Sequence, residues 1–447
     1  MTQHAHRHQP ARDTGPGEGA RAAVRRLRRD FAGELRLPGD PGHDAGRCQG
    51  HCTAGPRPAI VAEASGPADV RAAVVAARKH TLPLAVRATG HGTHVPAGDG
   101  ILLRTSAMAT VLVDPARRVA RVGPGARWGQ VIAAAAPFGL APLSASDPTV
   151  GVTGSTLGGG VGWLSREYGF AADNVLRAEV VTADGRHVTA SPDRHPSLFW
   201  ALRGGGGNFG VVTSLEFRLH PVSQVYAGTA YFPAERAAGT LALYRDWIAG
   251  APDELSTAVL LTPLPAAAQV PGPLRGRRVL AIRALYTGEA AEAERLLRPL
   301  RQAAGPALWE AMGPASSAAT AMGGIRCRQA EFFDHLPDAV IEAITSGTLV
   351  PVEVRHWAGA MARPRPGAGP VGHRTVPLSV TPGARAPELE AVLRAHATGV
   401  AFLNFLSDPT RTPSAYTVGD YRRLREVKAA YDPDNVFRRN LNIPPAP

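Results

Sequence analysis

Three glycine-rich stretches constrain this chain more than any other feature of its sequence. They span residues 87–94, 147–162 and 204–210, and the second holds six glycines between Gly151 and Gly162. Glycine has no Cβ, so its backbone can approach a ligand closely, and consecutive N–H groups can form an anion-binding concavity. A phosphate or a pyrophosphate fits such a surface. The alternative is that these stretches form ordinary turns, since 49 of the 447 residues are glycine. Because two of the stretches adjoin predicted strands, ligand binding and ordinary turns are given equal weight.

The third stretch has the spacing of a dinucleotide-binding fingerprint in the wrong context. Residues 205–210 match Gly-x-Gly-x-x-Gly, a pattern that in the Rossmann fold follows a strand and opens a helix. Here residues 210–219, which follow, alternate in polarity as a strand does. The sequence therefore predicts no Rossmann site for NAD, and a dinucleotide would be bound by a different fold.

The net charge of the chain invites a nucleic-acid interpretation that the rest of the sequence does not favour. The chain has 49 Lys plus Arg against 37 acids, a net charge of +12, and all of the basic residues except Lys79 and Lys428 are arginine. The first 29 residues hold seven arginines and two acids, so five of the twelve excess charges lie in a terminal arm. No basic stretch alternates with aromatic residues, as single-strand binders require. Nucleic acid is therefore not a predicted partner.

Cysteine content and apolar runs bear on the compartment. Cys48, Cys52 and Cys327 are too few, and odd in number, for a disulfide framework, which indicates a reducing environment. His51 lies beside Cys52, but no second ligand cluster with zinc-like spacing follows, so no metal is predicted. The N-terminus lacks an apolar signal region, and the most apolar run, residues 131–143, is too short to span a bilayer. The sequence predicts a soluble cytoplasmic protein without membrane contact.

The pattern along the chain predicts an α+β protein with more than one domain. Residues 1–35 are interpreted as a flexible basic arm, although Ala22–Leu37 could form a short basic helix. Short apolar runs between Gly, Pro and Asp breaks then predict strands as far as about residue 220, with a hairpin turn at Asp184-Gly185. Helices and strands alternate in the middle third, and a charged helix ends near Tyr431. The predicted middle segments are helices over 234–249, 289–304 and 388–398, and strands over 279–286 and 350–357.

Five stretches match motifs of one known family. They are Leu37-Pro-Gly-Asp-Pro-Gly, Pro83-Leu-Ala-Val-Arg-Ala-Thr-Gly-His, residues 148–169 from Pro-Thr-Val-Gly to Ser-Arg-Glu-Tyr-Gly, Leu198-Phe-Trp-Ala-Leu-Arg followed by four glycines and Asn-Phe-Gly, and Tyr431-Asp-Pro-Asp-Asn-Val-Phe with the later Asn-Ile-Pro. The chain resembles the berberine bridge enzyme-like group of FAD-linked oxidases, within the vanillyl-alcohol oxidase superfamily and its PCMH-type FAD-binding fold. The resemblance covers residues 37–220 and the last 30 residues well, and the middle only loosely.

The resemblance implies a fold of two domains. An FAD-binding domain would comprise residues 36–222 together with a C-terminal segment, 416–447, that returns to it. A substrate domain over residues 223–415 would be built on an antiparallel sheet covered by helices.

The resemblance also implies how FAD is held. His91 falls on the histidine that bonds covalently to the flavin 8α-methyl group. Relatives with a second covalent attachment carry a cysteine where this chain has Asp147, so attachment through His91 alone is expected. Val150 matches a small gatekeeper residue that leaves room for oxygen, which favours an oxidase. The expected cofactor-binding residues are Arg87, Thr89, Gly90, His91, Gly92, Thr93, Val150, Gly154, Gly159, Gly160, Gly162, Gly207, Asn208, Gly210, Val211, Asn440 and Asn442.

The catalytic base is the part of the site that the sequence leaves open. Many relatives place a proton-accepting tyrosine two residues before an asparagine, whereas here Phe402 precedes Asn404, and phenylalanine cannot act as a base. The candidate replacements are Glu353, His356, His373, Tyr416 and Tyr226, although each of them taken singly is more typical of a solvated strand face or a polar core residue than of a base.

The expected activity follows from the resemblance. It is an FAD-dependent oxidase that takes a hydride from an alcohol or amine carbon of a small molecule, such as a sugar or a secondary metabolite, and gives peroxide from molecular oxygen. The alternative is a flavoprotein that catalyses a redox-neutral cyclisation, and the missing tyrosine is the reason to consider it. A binding module without turnover is disfavoured because the flavin motifs are intact.

Overall fold

The computed structural model describes residues 17–43, 57–92, 95–325, 329–346 and 349–447. Its helices are α1 (Glu18–Asp30), α2 (Pro67–Lys79), α3 (Trp128–Ala135), α4 (Val152–Leu157), α5 (Ser165–Tyr168), α6 (Pro196–Leu202), α7 (Ala237–Trp247), α8 (Ala290–Ala304), α9 (Asp338–Thr345), α10 (Pro387–His396) and α11 (Val418–Tyr431). Its strands are β1 (Glu34–Arg36), β2 (Ile60–Glu63), β3 (Leu84–Arg87), β4 (Ile101–Arg104), β5 (Val111–Asp114), β6 (Val119–Val122), β7 (Val175–Val181), β8 (His187–Ala190), β9 (Val211–Arg218), β10 (Gln224–Pro233), β11 (Leu255–Pro263), β12 (Arg278–Tyr286), β13 (Trp309–Ser316), β14 (Glu331–Phe333), β15 (Val352–His356) and β16 (Leu378–Pro382).

The first part of the chain forms two sheets. A four-stranded sheet has the order β1-β2-β4-β3, in which β2 and β3 run parallel to β4, and α1 and α2 cover its apolar face. A five-stranded antiparallel sheet has the order β5-β6-β9-β7-β8. The hairpin predicted at Asp184-Gly185 is confirmed between β7 and β8, where Gly185 has a φ of +83°. A left-handed φ of this kind is the reason that glycine suits the turn.

The middle of the chain forms a seven-stranded antiparallel sheet in the order β13-β10-β12-β11-β15-β16-β14. Helices α7 to α10 cover one face, where Val352 and Val354 of β15 join the apolar core. Side chains alternate across a strand, so Glu353 and Arg355 lie on the opposite face. Mixed helices and antiparallel sheets confirm the predicted α+β class, and the proposed boundary at residue 222 falls between β9 and β10.

The flexible arm predicted for residues 1–35 is wrong for the part that the structure describes. Residues 18–30 form α1, whose Ala20, Ala23, Val24 and Leu27 are buried against α2. These four positions have the i, i+3, i+4, i+7 spacing of an amphipathic helix, which the surrounding arginines obscure. Residues 34–36 then pair with β2 as an edge strand. Residues 1–16 lie outside the described ranges.

Most middle segments fall where the sequence predicts them, although some strands were missed. Helices α7, α8 and α10 and strands β12 and β15 are confirmed within a few residues. The missed strand β11 is buried on both faces, and a continuous apolar run of this kind has no period that separates a strand from a helix. None of the helices in the described ranges is both long and apolar enough to cross a membrane.

Candidate functional site

A cavity of about 370 Å³ lies where the three glycine-rich stretches meet the helix-free face of the seven-stranded sheet. Strand β3 ends at Arg87 and delivers residues 87–92 into it, while residues 206–208 enter after α6. The sheet contributes Glu353, Arg355 and Thr381. The cavity therefore has one wall rich in glycine backbone and another wall with polar side chains.

Many of the predicted cofactor-binding residues line this cavity. Arg87 is buried at its edge, and His91 lies in the turn that follows β3. The predicted residues found in the lining are Arg87, Thr89, Gly90, His91, Gly92, Val150, Gly154, Gly160, Gly207, Asn208 and Asn440.

Other predicted residues do not line the cavity. A Cβ at Gly162 would lie 1.8 Å from the carbonyl oxygen of Ser144, and one at Gly210 would lie 2.5 Å from Val180 Cγ1. These glycines are required by the packing of the chain on itself. Among the predicted cofactor-binding residues that the structure describes, those absent from the lining are Gly159, Gly162, Gly210, Val211 and Asn442. Thr93 falls outside the described ranges.

Several residues of the lining were not predicted from the sequence. Asn404 Oδ1 accepts a hydrogen bond of 2.8 Å from the backbone N–H of Gly160, which ties residues 403–405 to the second glycine stretch. Arg439 adjoins the predicted Asn440, so its position beside that residue could have identified it. Ser146, Thr381 and Phe405 also line the cavity, and neither their type nor their spacing marks them in the sequence.

The polar wall contains a buried ion pair. Glu353 Oε1 lies 3.1 Å from Arg355 Nε, and both side chains are at least 90% buried. Arg355 Nη1 donates to Ser146 Oγ at 3.3 Å, and its guanidinium carbon lies 4.8 Å from the ring centroid of Trp163. Glu353 Oε2 is buried without a hydrogen-bond partner in the described structure. Because leaving a buried carboxylate oxygen unpaired is costly, this atom is suited to accept a proton or a hydrogen bond from a ligand.

The opposite wall fits the FAD that the sequence motifs imply. A Cβ at Gly92 or Gly154 would meet no atom within 4 Å, so both glycines leave open space beside the backbone. Arg439 Nε and Asn440 Oδ1 are buried without partners in the part of the chain described here. Guanidinium groups and glycine N–H groups suit a pyrophosphate, and an amide suits polar ring or ribose atoms. Arg87, Arg439, Asn440 and the glycine backbone would hold the cofactor.

Four of the five candidate bases lie outside the cavity. His356 Nε2 accepts a hydrogen bond of 2.8 Å from Arg166 Nη1, deep between the sheet and α5. Tyr416 donates its hydroxyl to the Gly204 carbonyl at 3.1 Å, and His373 Nε2 lies 3.2 Å from the carbonyl oxygen of Tyr416. Tyr226 packs in the core beneath the helices. Of the candidates, only Glu353 lines the cavity.

Phe402 also lies behind the cavity rather than in its wall. Its ring stacks on Phe170 with centroids 5.5 Å apart, and a Cβ at Gly159 would lie 2.6 Å from its Cε2 atom. The tip of the ring thus packs against the glycine backbone. The ring is thus enclosed by Phe170 and the backbone at Gly159, and Phe402 is not among the residues that line the cavity.

Stability should fall as the pH drops below 6.5 because two histidines are buried in their neutral form. Burial, with the charge of Arg166, lowers the pKa of His356 to about 2. Burial, with nearby arginines, lowers the pKa of His220 to about 4. The unfolded chain binds these protons below about pH 6.5 and the folded chain does not, so the stabilisation is complete above pH 6.5 and decreases below it.

We expect the free energy of unfolding, measured by urea denaturation, to fall by about 2 kcal/mol between pH 6.5 and 5.5. Each of the two histidines can contribute up to about 1.4 kcal/mol per pH unit. His220→Phe should remove about half of this slope. A flat profile over the same interval would show that both histidines are accessible to protons in the folded protein.

Tyr416→Phe tests whether this hydroxyl has a role beyond packing. The change removes one neutral hydrogen bond to the Gly204 carbonyl, so we expect a loss of about 1 kcal/mol of stability in urea denaturation. Turnover should stay within twofold of the unmodified protein. A drop in kcat of tenfold or more, with the fold intact, would place Tyr416 in the chemistry after all.

Comparison with known proteins agrees with this geometry. A family model described as an FAD binding domain matches residues 58–191, and one described as berberine and berberine like matches residues 401–444. (R)-6-hydroxynicotine oxidase of Paenarthrobacter nicotinovorans is 32% identical over 92% of this chain and 97% of its own length.

Two solved structures extend the comparison to the fold. The crystal structure of 6-hydroxy-D-nicotine oxidase from Arthrobacter nicotinovorans superposes with a TM-score of 0.81 at 29% identity, covering 93% of this chain and 98% of that one. Xylooligosaccharide oxidase from Myceliophthora thermophila gives a TM-score of 0.79 at 22% identity, covering 95% of this chain and 100% of that one. At that identity the second likeness concerns the fold alone.

Proposed function

Because the chain belongs to the berberine bridge enzyme-like family of FAD-linked oxidoreductases, we propose that it oxidises a small alcohol or amine and passes the electrons to molecular oxygen. The substrate carries an O–H or N–H on the carbon that is oxidised, as in a sugar or a secondary metabolite. The observation that carries this proposal is Glu353 Oε2, a buried acceptor without a partner in the described structure, in the polar wall of the cavity.

Glu353 is the proton acceptor in this proposal. Its Oε1 atom lies 3.1 Å from Arg355 Nε as an ion pair, without a hydrogen bond from that nitrogen among the described residues, and Oε2 is left for the substrate. Proton removal by a positioned carboxylate contributes typically 10²- to 10⁴-fold to a rate. Thr381, the cross-strand neighbour of Glu353, also lines the cavity and can orient a substrate hydroxyl or amine.

The proposed reaction balances in atoms and electrons. FAD, when bound, supplies the hydride acceptor. The substrate loses one hydrogen from carbon and one from oxygen or nitrogen, so that a C=O or C=N bond forms. Molecular oxygen gains the two electrons and two protons and becomes hydrogen peroxide.

We further propose that FAD is attached covalently through His91 and that Val150 admits oxygen. Both residues line the cavity, and a relative that is 32% identical over 92% of the chain is named an oxidase. Asp147, at the position of the cysteine in doubly attached relatives, lines the same cavity and offers no thiol. The alternative is a redox-neutral cyclisation, which the absence of a tyrosine at position 402 suggests; we favour the oxidase because Glu353 offers a buried acceptor in the cavity lining.

A spectroscopic experiment tests the proposal. The purified protein should show a flavin spectrum that remains with the acid-precipitated polypeptide. A panel of sugars, secondary alcohols and amines should contain a compound that bleaches the flavin without oxygen and yields one peroxide per oxygen consumed in air. Protein that stays colourless after expression with ample FAD would refute the cofactor. Conversion of a substrate with the flavin oxidised throughout and no oxygen consumed would refute the oxidase.

A further inference from the structure

Lys428 is an exception in a chain that uses arginine for 47 of its 49 basic residues. The other lysine, Lys79, is exposed at the end of α2. The side chain of Lys428 is 0% exposed, as is that of Asp432, its ion-pair partner one helical turn later. A chain with this arginine bias therefore keeps one lysine at a completely buried position of α11.

The ammonium group of Lys428 joins three segments of the chain. It donates to Asp432 Oδ2 at 2.6 Å, to the carbonyl of Asn208 at 2.8 Å and to the carbonyl of Phe437 at 3.2 Å. These three bonds use all three of its protons. The Asp432 carboxylate also accepts from the backbone N–H groups of Val436 and Phe437 at 2.7 and 2.9 Å. The buried pair is thus fully hydrogen-bonded.

Two of the segments joined in this way line the cavity, namely residues 206–208 and residues 439–441, which follow Phe437. Asn208, in the third glycine stretch, donates to the carbonyl of Leu441 at 3.1 Å and accepts from the N–H of Ile443 at 3.0 Å. Asn440 Nδ2 donates to the Gly207 carbonyl at 3.0 Å. The register between the glycine stretch and the C-terminal residues is therefore set by a single network whose charged centre is Lys428.

Arginine cannot replace lysine at the centre of this network. The three acceptors converge on one nitrogen, which suits a compact ammonium, whereas the donors of a guanidinium spread in a planar fork. A buried ion pair is in itself weak evidence for stability, because apolar replacements of such pairs are often neutral or stabilising. The contribution of Lys428 is therefore sought in the geometry that its three hydrogen bonds impose on its neighbours.

We propose that Lys428 is a positioning residue for the cofactor. Its ammonium fixes the third glycine stretch against residues 437–443, and this places Arg439 and Asn440 in the lining of the cavity. Arg439 Nε and Asn440 Oδ1 are buried without partners in the described structure, so both atoms are left for the cofactor. This inference rests on the proposed function only in taking FAD as the cofactor. It predicts that Lys428 governs FAD affinity without touching FAD.

The test measures FAD affinity in a His91→Ala background, in which binding is reversible. The dissociation constant of FAD is obtained from the quenching of flavin fluorescence, and the melting temperature from far-ultraviolet circular dichroism. Adding Lys428→Arg should weaken FAD binding at least tenfold at a temperature where the protein is folded. Tyr244→Phe, which removes a buried hydrogen bond to Thr257 in the core beneath the helices, is the control for stability and should leave FAD affinity within twofold.

Each outcome decides the inference. An unchanged dissociation constant for Lys428→Arg, or one that changes only as the control does for the same loss of melting temperature, overturns it. If Lys428→Arg does not fold, the double variant Lys428→Met with Asp432→Leu replaces the ion pair by two apolar side chains. Tenfold weaker FAD binding in this double variant supports the inference, and unchanged binding overturns it. Absence of FAD binding in the His91→Ala parent and the unmodified protein alike would instead refute the proposed cofactor, and this inference with it.

Discussion

Replacing His91 with alanine is expected to abolish the flavin that remains with acid-precipitated protein. His91 lines the cavity in the turn after β3, and its imidazole is the group proposed to attach FAD. The variant should still bind FAD reversibly, because Arg87, Arg439 and the glycine backbone that would hold the cofactor are unchanged. The measurement is the flavin absorbance of the acid pellet and of the supernatant, which should move almost entirely from pellet to supernatant.

Asp147→Asn provides the matched control. Asp147 lines the same cavity at the position where doubly attached relatives carry a cysteine, and a carboxylate there is not proposed to form a bond to flavin. The control should keep its flavin in the pellet. Flavin that stays with the His91→Ala pellet would show that another residue forms the attachment. A His91→Ala supernatant and pellet that both lack flavin would mean that attachment is needed for any retention.

Much of the fold was predictable because its signals are local. The Asp184-Gly185 turn demands a left-handed backbone at Gly185, and the spacing in α8 and α10 repeats with a helical period. What escaped prediction depends on context. Strand β11 is buried on both faces, so its apolar run has no period that separates a strand from a helix. The apolar positions of α1 do repeat with a helical period, but they lie among arginines that favoured a basic arm.

The glycine stretches predicted one wall of the cavity and not the other. Glycine density identifies backbone that can approach a ligand, but it does not separate Gly154, which faces open space, from Gly162, which packs on Ser144. That distinction requires tertiary contacts. The polar wall combines residues from strands β15 and β16 and from residues 403–405, and pairing between strands distant in sequence has no local signature.

Sequence spacing alone does not show which residues near position 402 line the cavity. Position 402 suggested a lost base because the comparison was made by sequence spacing. In the structure its ring packs against Gly159 and Phe170, and the adjacent Leu403, Asn404 and Phe405 line the cavity instead. Glu353 Oε2, a buried acceptor with no partner among the described residues, lies on a strand some fifty residues earlier, and only the folded chain brings it opposite the glycine wall.

Glu353→Gln should therefore lower the rate of flavin reduction by at least about 100-fold, within the range that general-base catalysis contributes. Glutamine keeps the size of the side chain and an acceptor for Arg355, but its amide cannot take the proton from the substrate. The rate is measured by anaerobic stopped-flow bleaching of the flavin, at saturating substrate. The KM should change only a few-fold, because the loss arises in the transition state and not in ground-state binding.

Thr381→Val is the control for this experiment, since Thr381 is the cross-strand neighbour of Glu353 and lines the same wall. It removes a hydroxyl that can orient the substrate but carries no proton in the reaction, so its main effect should be a higher KM. Reduction within threefold of the unmodified rate in Glu353→Gln would show that the carboxylate is only the structural partner of Arg355. Removal of a base and removal of an orienting hydroxyl should affect different kinetic parameters. An equal loss of kcat in both variants would therefore show that Glu353, like Thr381, only orients the substrate.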